Sequence, residues 1–157
     1  MIPKLISHRG NVSVRNVELE NSPDYILAAL RVCDMVEVDA WVVRGSQLFF
    51  GHDGPQFACG FRFLHDYARR LLVHAKNVSM LDYVLGHADL HGFWHEGDQY
   101  AMTSHGFIVT LPNNPLTSRS ICMNPDMYSF DDVVRCYGVC CDDILGLKGG
   151  FEEVEGV

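Results

Sequence analysis

At 157 residues the chain is long enough to bury one substantial core, yet short for a full barrel of alternating strands and helices, which takes about 250 residues. Hydrophobic residues make up 48%, but no apolar run nears the roughly 18 residues that a membrane helix needs, which excludes an integral membrane segment. Twenty Asp and Glu against twelve Lys and Arg give a net charge of -8 with no basic stripe. Nucleic-acid polymers, whose binding depends on neutralising phosphates, are therefore disfavoured as partners.

Met1-Ile2-Pro3-Lys4 leads straight into a strand without an apolar leader, which predicts a cytoplasmic chain. Apolar runs at 4–7, 35–43, 71–75, 90–94, 107–111, 120–123 and 138–141 predict seven strands. Between the first two, Ser22-Pro23-Asp24 offers a cap followed by proline at the first turn, and 22–33 reads as a helix. Arg44-Gly45-Ser46 before Leu48-Phe49-Phe50 reads as a short hairpin that returns from the second strand. Segments 61–70, 79–86 and 127–137 read as further helices. The stretch 96–119 holds two Pro, two Asn and two Gly and leaves little room for full-length helices.

Strands alternating with helices imply parallel βαβ units. The expectation is an α/β fold, which the resemblance carried by the motifs below narrows to a compact, trimmed TIM-type (β/α) barrel of about seven parallel strands with some outer helices missing. It occupies residues 1–148 as a single domain, and 149–157, with three Glu, forms a flexible acidic tail.

Glu37 and Asp39 lie two apart on a predicted strand, so they share one face and converge on the interior of a parallel barrel. Two buried carboxylates repel unless a cation separates them, and burying an unpaired charge is costly. The alternative, an outward-facing solvated pair, would turn Val36, Val38 and Ala40 inward and leave Trp41 beside the carboxylates. The metal reading is preferred, and oxygen ligands of this kind suit Mg²⁺ or Ca²⁺, with Mn²⁺ also allowed. The six cysteines show no paired zinc spacing and read as reduced, mostly buried thiols. Cys136 with Cys140, Cys141 and a His offers a zinc alternative, but Cys140 and Cys141 would point to opposite faces of a strand.

Four motifs fall in order within the first 53 residues: Ser7-His8-Arg9-Gly10, Glu20-Asn21, Glu37-Val38-Asp39 and His52-Asp53. In order and spacing, residues 4–53 resemble the glycerophosphodiester phosphodiesterase family, within the wider superfamily of barrel phospholipases that includes the phosphatidylinositol-specific and sphingomyelinase D types. Beyond them the likeness extends to Val73-His74-Ala75-Lys76 and to Gly138-Val139-Cys140-Cys141-Asp142. The resemblance implies a hydrolase that cleaves a small glycerophosphodiester into glycerol phosphate and an alcohol. His8 and His52 would be the acid/base pair, both at strand ends where barrel sites assemble.

The resemblance further implies that Arg9 and Lys76 bind the phosphate, Arg9 by its fork and Lys76 as a point charge. Glu20 either begins a helix or lines the site as a metal ligand or a partner of Arg9. The third metal-binding Glu of the family is replaced by His74, a poorer ligand for Mg²⁺ or Ca²⁺ and a better one for Mn²⁺ or Zn²⁺. Glu96 beside His95 is a further candidate carboxylate. Two other readings keep the pocket: a sphingomyelinase D-like enzyme or other phosphodiesterase acting on intact phospholipid, and a phosphate-binding module without turnover.

Overall fold

The computed structural model describes residues 2–155. Its strands are β1 (Lys4–His8), β2 (Met35–Val43), β3 (Gln47–Phe50), β4 (Phe57–Cys59), β5 (Leu71–Ala75), β6 (Gly92–Phe93), β7 (Tyr100–Met102), β8 (Ile108–Thr110), β9 (Ser120–Met123) and β10 (Gly138–Cys141). The helices are α1 (Pro23–Ala29), α2 (Phe61–Asp66), α3 (Val78–Leu85), α4 (Phe130–Val133) and α5 (Ile144–Glu155).

All ten strands belong to one curled sheet. Parallel pairings run from β6 through β5, β2, β1, β10 and β9 to β8. Antiparallel pairings add β3 and β4 beyond the middle of β2, and β7 beside β8. The α/β class is as expected, but the compact barrel of about seven parallel strands is corrected: the sheet is mixed, and among the described residues no ladder closes β6 onto β7. A single backbone bond, Ser104 N–H to the Gly92 carbonyl at 2.7 Å, bridges that seam. The reason lies in 96–119, which is spent on the β7–β8 hairpin and contains no helix, so no crossover delivers another parallel strand beside β6.

The seven expected strands and the β2–β3 hairpin are present, whereas β4 and β7 had no apolar run to mark them. The helix expected over 127–137 shrinks to α4, because Ser129 caps its start by accepting from Asp132 N–H. Residues from Gly149 to Glu155, expected as a flexible tail, continue α5, and Phe151 is buried against Phe130 with ring centroids 5.5 Å apart.

Both faces of the central strands are covered, as parallel sheets require. On the outer face Leu5, Val36, Val38, Leu71, Val73 and Val139 pack against Ile26, Leu64, Met80 and Ile144 of the helical layer. The inner face is a rung of one residue from each strand except β3 and β4: Ile6, Met35, Leu72, Phe93, Ala101, Val109, Ile121 and Cys140. Side chains alternate along a strand, so the next inward residue toward the C-terminal end of each strand stands above this apolar floor. For β1, β2 and β5 those residues are His8, Glu37 and His74.

Candidate functional site

Register assembles the site. In the parallel ladders His8 lies opposite Glu37, Asp39 opposite His74, and His74 opposite Phe93. The side chains of His8, Arg9, Glu37, His52, His74 and Lys76 thus line one cleft of about 310 Å³, which His95 and Glu96 also border. Of the eight expected site residues, Glu20 and Asp39 do not border it: Glu20 lies behind Arg9, and Asp39 is fully buried beneath His74 and Lys76.

The turn after β1 gives Arg9 its place. Arg9 sits at φ 55°, in the left-handed region, and Gly10 at φ 95°, where a Cβ would meet Tyr25 Cδ1 at 2.7 Å. The chain then doubles back, so that Arg9 N–H bonds the Glu37 carbonyl and Asn21 N–H bonds the Arg9 carbonyl. Arg9 is buried; its Nη1 donates to Glu20 Oε2 at 3.1 Å and its Nε lies 2.8 Å from Asp39 Oδ2. Nη1 is thus hydrogen-bonded to a carboxylate and Nε is buried beside another without an aligned bond, so only part of the fork faces the cleft.

Glu20 resolves as the partner of Arg9 among the alternatives left open for it. Its oxygens accept from Arg9, from Asn11 Nδ2 at 3.0 Å and from Arg15 Nε at 2.8 Å. Burial opposes ionisation there, but these donors outweigh it and hold the Glu20 carboxyl below its ordinary range.

Asp39 is fully buried and clamped. Asn21, itself at φ 67°, accepts from Asp39 N–H at 2.9 Å and donates to Asp39 Oδ2 at 3.0 Å. Lys76 Nζ is 3.5 Å from Asp39 Oδ1, and His74 Nδ1 is 3.0 Å from that same oxygen without hydrogen-bond alignment. Burial would raise the Asp39 pKa, yet His74 when it carries a charge, together with Arg9 and Asn21, drives it far below the usual carboxylate range. Glu37 is its opposite. Only 2% exposed, it lies 4.0 Å from His8 Nε2 and 3.8 Å from His74 Nδ1, and burial followed by repulsion from Asp39 raises its pKa.

Glu37 Oε2 and Asp39 Oδ1 are buried without a hydrogen-bond partner. Ligand atoms of Glu37, Asp39 and His74 lie within 4.8 Å of one another, a set that could hold a metal ion. Two orphaned carboxylate oxygens beside an imidazole nitrogen fit a divalent cation, because native structures rarely leave such groups unpaired. Among the described residues no other group of three such side chains converges, so Cys136, Cys140 and Cys141 form no zinc site. Cys140 belongs to the inner rung, Cys141 packs on the outer face, and burial pushes both thiols up.

His8, half-buried at the end of β1, has its Nδ1 2.8 Å from Asp142 Oδ1 just beyond β10, and Asp142 also accepts from Asn11 Nδ2 at 2.9 Å. Burial lowers the His8 pKa, but Asp142 and the Glu37 charge overcome it and raise the net value. His52 is different. Gly51 at φ 148° has no room for a Cβ against the Gly54 carbonyl, and the tight turn leaves His52 at the exposed rim with its Nδ1 2.7 Å from Asp53 Oδ1. A second groove of about 400 Å³ runs outward from Arg9 past Arg15, Val17 and His52.

Sequence reasoning missed Asn11 and gave Asn21, His95 and Asp142, each of them beside or within a named motif, no role. Asn11 and Asn21 follow the His8-Arg9-Gly10 and Glu20 motifs closely, which was the available signal. Asp142 ends the closing strand, where parallel sheets gather their chemistry. His95 Nδ1 is buried without a partner, and burial followed by the neighbouring His74 lowers its pKa. No helix among the described residues is long and apolar enough to cross a membrane. Compared with models of known families, with curated proteins and with solved structures, the chain finds no match.

Proposed function

We propose that this protein is a phosphoric diester hydrolase that uses a divalent cation to cleave a small glycerophosphodiester into glycerol phosphate and an alcohol. One observation carries the reading: the unpaired, buried oxygens of Glu37 and Asp39 meet His74 at one point, and Glu37 and His74 open there onto a cleft with two basic side chains and two further imidazoles. Glu37 and Asp39 would hold the cation, with His74 beside them. The two oxygens suit Mg²⁺ or Ca²⁺, and the imidazole adds a donor that Mn²⁺ accepts. When bound, the ion supplies charge stabilisation at a phosphate oxygen.

The chain's own residues account for the rest of the chemistry. Lys76 and the free edge of Arg9 neutralise and orient the phosphate. His8 is held by Asp142 in one orientation, with Nε2 turned to the cleft, and moves a proton to or from the oxygen that attacks or leaves. His52, at the rim, serves the opposite side of the phosphorus as the other member of the acid/base pair. An intact phospholipid is the second reading, favoured by Val14, Val17 and Leu19, which stand exposed on the loop that carries Arg15.

The test is a panel of glycerophosphodiesters offered beside vesicles of the matching phospholipids, with several divalent ions and with excess chelator. Release of glycerol phosphate from the soluble diesters, abolished by chelator, is the expected result. Hydrolysis confined to vesicles would favour the phospholipid reading. Cleavage that persists undiminished in chelator, or no cleavage of any diester, would overturn the proposal.

A further inference from the structure

The His74 imidazole is locked in one orientation. It stacks on Phe93 with ring centroids 4.7 Å apart and planes 8° from parallel, and its Nε2 lies 3.2 Å from the His95 carbonyl oxygen. A carbonyl oxygen only accepts, so Nε2 carries a proton and donates. In the neutral ring Nδ1 then holds a lone pair. That nitrogen lies 3.0 Å from Asp39 Oδ1, without being aligned on it, and 3.8 Å from Glu37 Oε1. Three acceptors converge where none can donate to another, and Asp39 Oδ1 has no aligned donor. A histidine that gives one N–H to a backbone carbonyl and holds its other nitrogen beside two carboxylates has the usual surroundings of a metal-ligating imidazole.

We propose that His74 Nδ1 is a direct ligand of the ion, alongside Glu37 and Asp39, and that the site selects a first-row transition ion over Mg²⁺ and Ca²⁺. This rests on the metal-dependent reading above and identifies its cofactor class. A donor set with one imidazole nitrogen and two carboxylates is poor for Ca²⁺, which gathers six to eight oxygens, and for Mg²⁺, which keeps oxygen ligands and water. Imidazole suits Mn²⁺, Fe²⁺ and Zn²⁺, and those ions gain from the nitrogen that the hard ions do not use. The competing account is a doubly protonated His74, which would itself be the cation between the carboxylates.

Manganese is the probe. The full-length, metal-stripped chain is titrated with Mn²⁺ at neutral pH, free ion being counted by electron paramagnetic resonance, then competed with Mg²⁺ and with Ca²⁺. Pulsed measurements on the bound ion report any directly coordinated nitrogen. Mn²⁺ should bind on the order of 100-fold tighter than Mg²⁺, with nitrogen coupling in the spectrum. His74→Glu should remove that coupling and bring the two ions to within about tenfold of each other. His74→Gln, a second variant of different charge, should weaken Mn²⁺ on the order of 10- to 100-fold; circular dichroism verifies that both fold.

Bound Mn²⁺ without nitrogen coupling, Mg²⁺ and Mn²⁺ bound alike by wild type, or no Mn²⁺ bound at all would each overturn the assignment. Binding is read without substrate, so the two proposals fail separately. Nitrogen-coupled Mn²⁺ on a protein that cleaves no diester sinks only the hydrolase reading, and Mg²⁺-supported hydrolysis without nitrogen coupling sinks only this one.

Discussion

The two flanks of the cleft are built from the same kinds of side chain and end in opposite states. On the flank formed by the turn after β1 the carboxylate oxygens are met: Glu20 accepts from Arg9, Asn11 and Arg15, and Asp39 Oδ2 accepts from Asn21, with Arg9 Nε 2.8 Å away but not aligned on it. On the flank where β2 meets β5, Glu37 Oε2 and Asp39 Oδ1 are buried with no donor aligned to them. Asp39 belongs to both, one oxygen on each side. Carboxylates whose oxygens are met by donors set geometry by themselves, whereas buried carboxylate oxygens without a donor call for a ligand. One flank is scaffold, the other is finished by what it binds.

Removing the shared residue should have the largest effect. Asp39→Asn keeps the shape but takes away the charge that faces both Arg9 and Lys76 and one of the ion's oxygens. Hydrolysis should fall on the order of 10³-fold, and unfolding in urea should come earlier because a buried cation loses part of its compensation. If the variant keeps its metal affinity, Asp39 belongs to the scaffold alone. Next come the imidazoles. His8→Ala and His52→Ala should each lower turnover on the order of 10²- to 10⁴-fold with the fold intact. Asp142→Asn, which frees the His8 ring, should cost about tenfold to 100-fold, less than loss of the ring itself. Should His52→Ala turn over a substrate with a poor leaving group at the wild-type rate, a different group, with His95 the nearest candidate, must carry that proton.

The scaffold flank was much less legible in the sequence than the binding flank, for a physical reason. Glu37 and Asp39 announce themselves because two carboxylates within an apolar strand are costly, and their spacing alone puts them on one face. His74 on β5 and Lys76 just beyond its end share that spacing. By contrast Asn11 and Asn21 are small neutral residues in loop sequence, where asparagine is ordinary, and only the left-handed turn at Arg9 and Asn21 folds them under the strands. Asp142 acts on His8 from 134 residues away, a distance that only the β1–β10 pairing removes. The fold was read well where hydrophobic runs marked strands. It was misread at closure, because the number of strands says nothing about whether the last finds a parallel neighbour, and at Gly149 to Glu155, where Phe151 outweighs the glycines around it.

The unsaturated flank can be tested without any substrate. A ligand that binds only the folded state raises stability by RT ln(1 + [L]/Kd), about 2.7 kcal/mol at a hundredfold excess over Kd. Mn²⁺ at such an excess should raise the melting temperature of wild type by several degrees. Glu37→Gln, which offers the ion a weaker oxygen, should respond much less, and Glu20→Gln, on the saturated flank, should respond as wild type does even though its own melting point is lower. Equal responses from Glu37→Gln and wild type would erase the distinction between the flanks.

The smallest effect lies at the opposite end of the sheet, where a buried polar group has its partner within the chain and no carboxylate at hand. His91 precedes β6 at the open seam; it bonds Thr103 Oγ1 through Nε2 at 2.8 Å and stacks on His105 with centroids 4.5 Å apart. Burial, reinforced by the charge His105 can carry, pulls its pKa down to about 4, whereas His8, buried beside carboxylates, is raised. The sign follows from proton counting. As pH falls through about 6.5 the unfolded chain takes up a proton on His91 that the folded chain refuses until about pH 4, so stability is lost across that window. The loss between pH 7 and 4.5 should be about 2 kcal/mol for this one group. His91→Gln keeps a partner for Thr103 and cannot titrate, so its urea midpoint should fall less over the same range. The carboxylates of the cleft titrate in both proteins and cancel in the difference. If wild type and His91→Gln lose stability in parallel, His91 is protonated in the folded protein without penalty, and the seam is open enough to hydrate it.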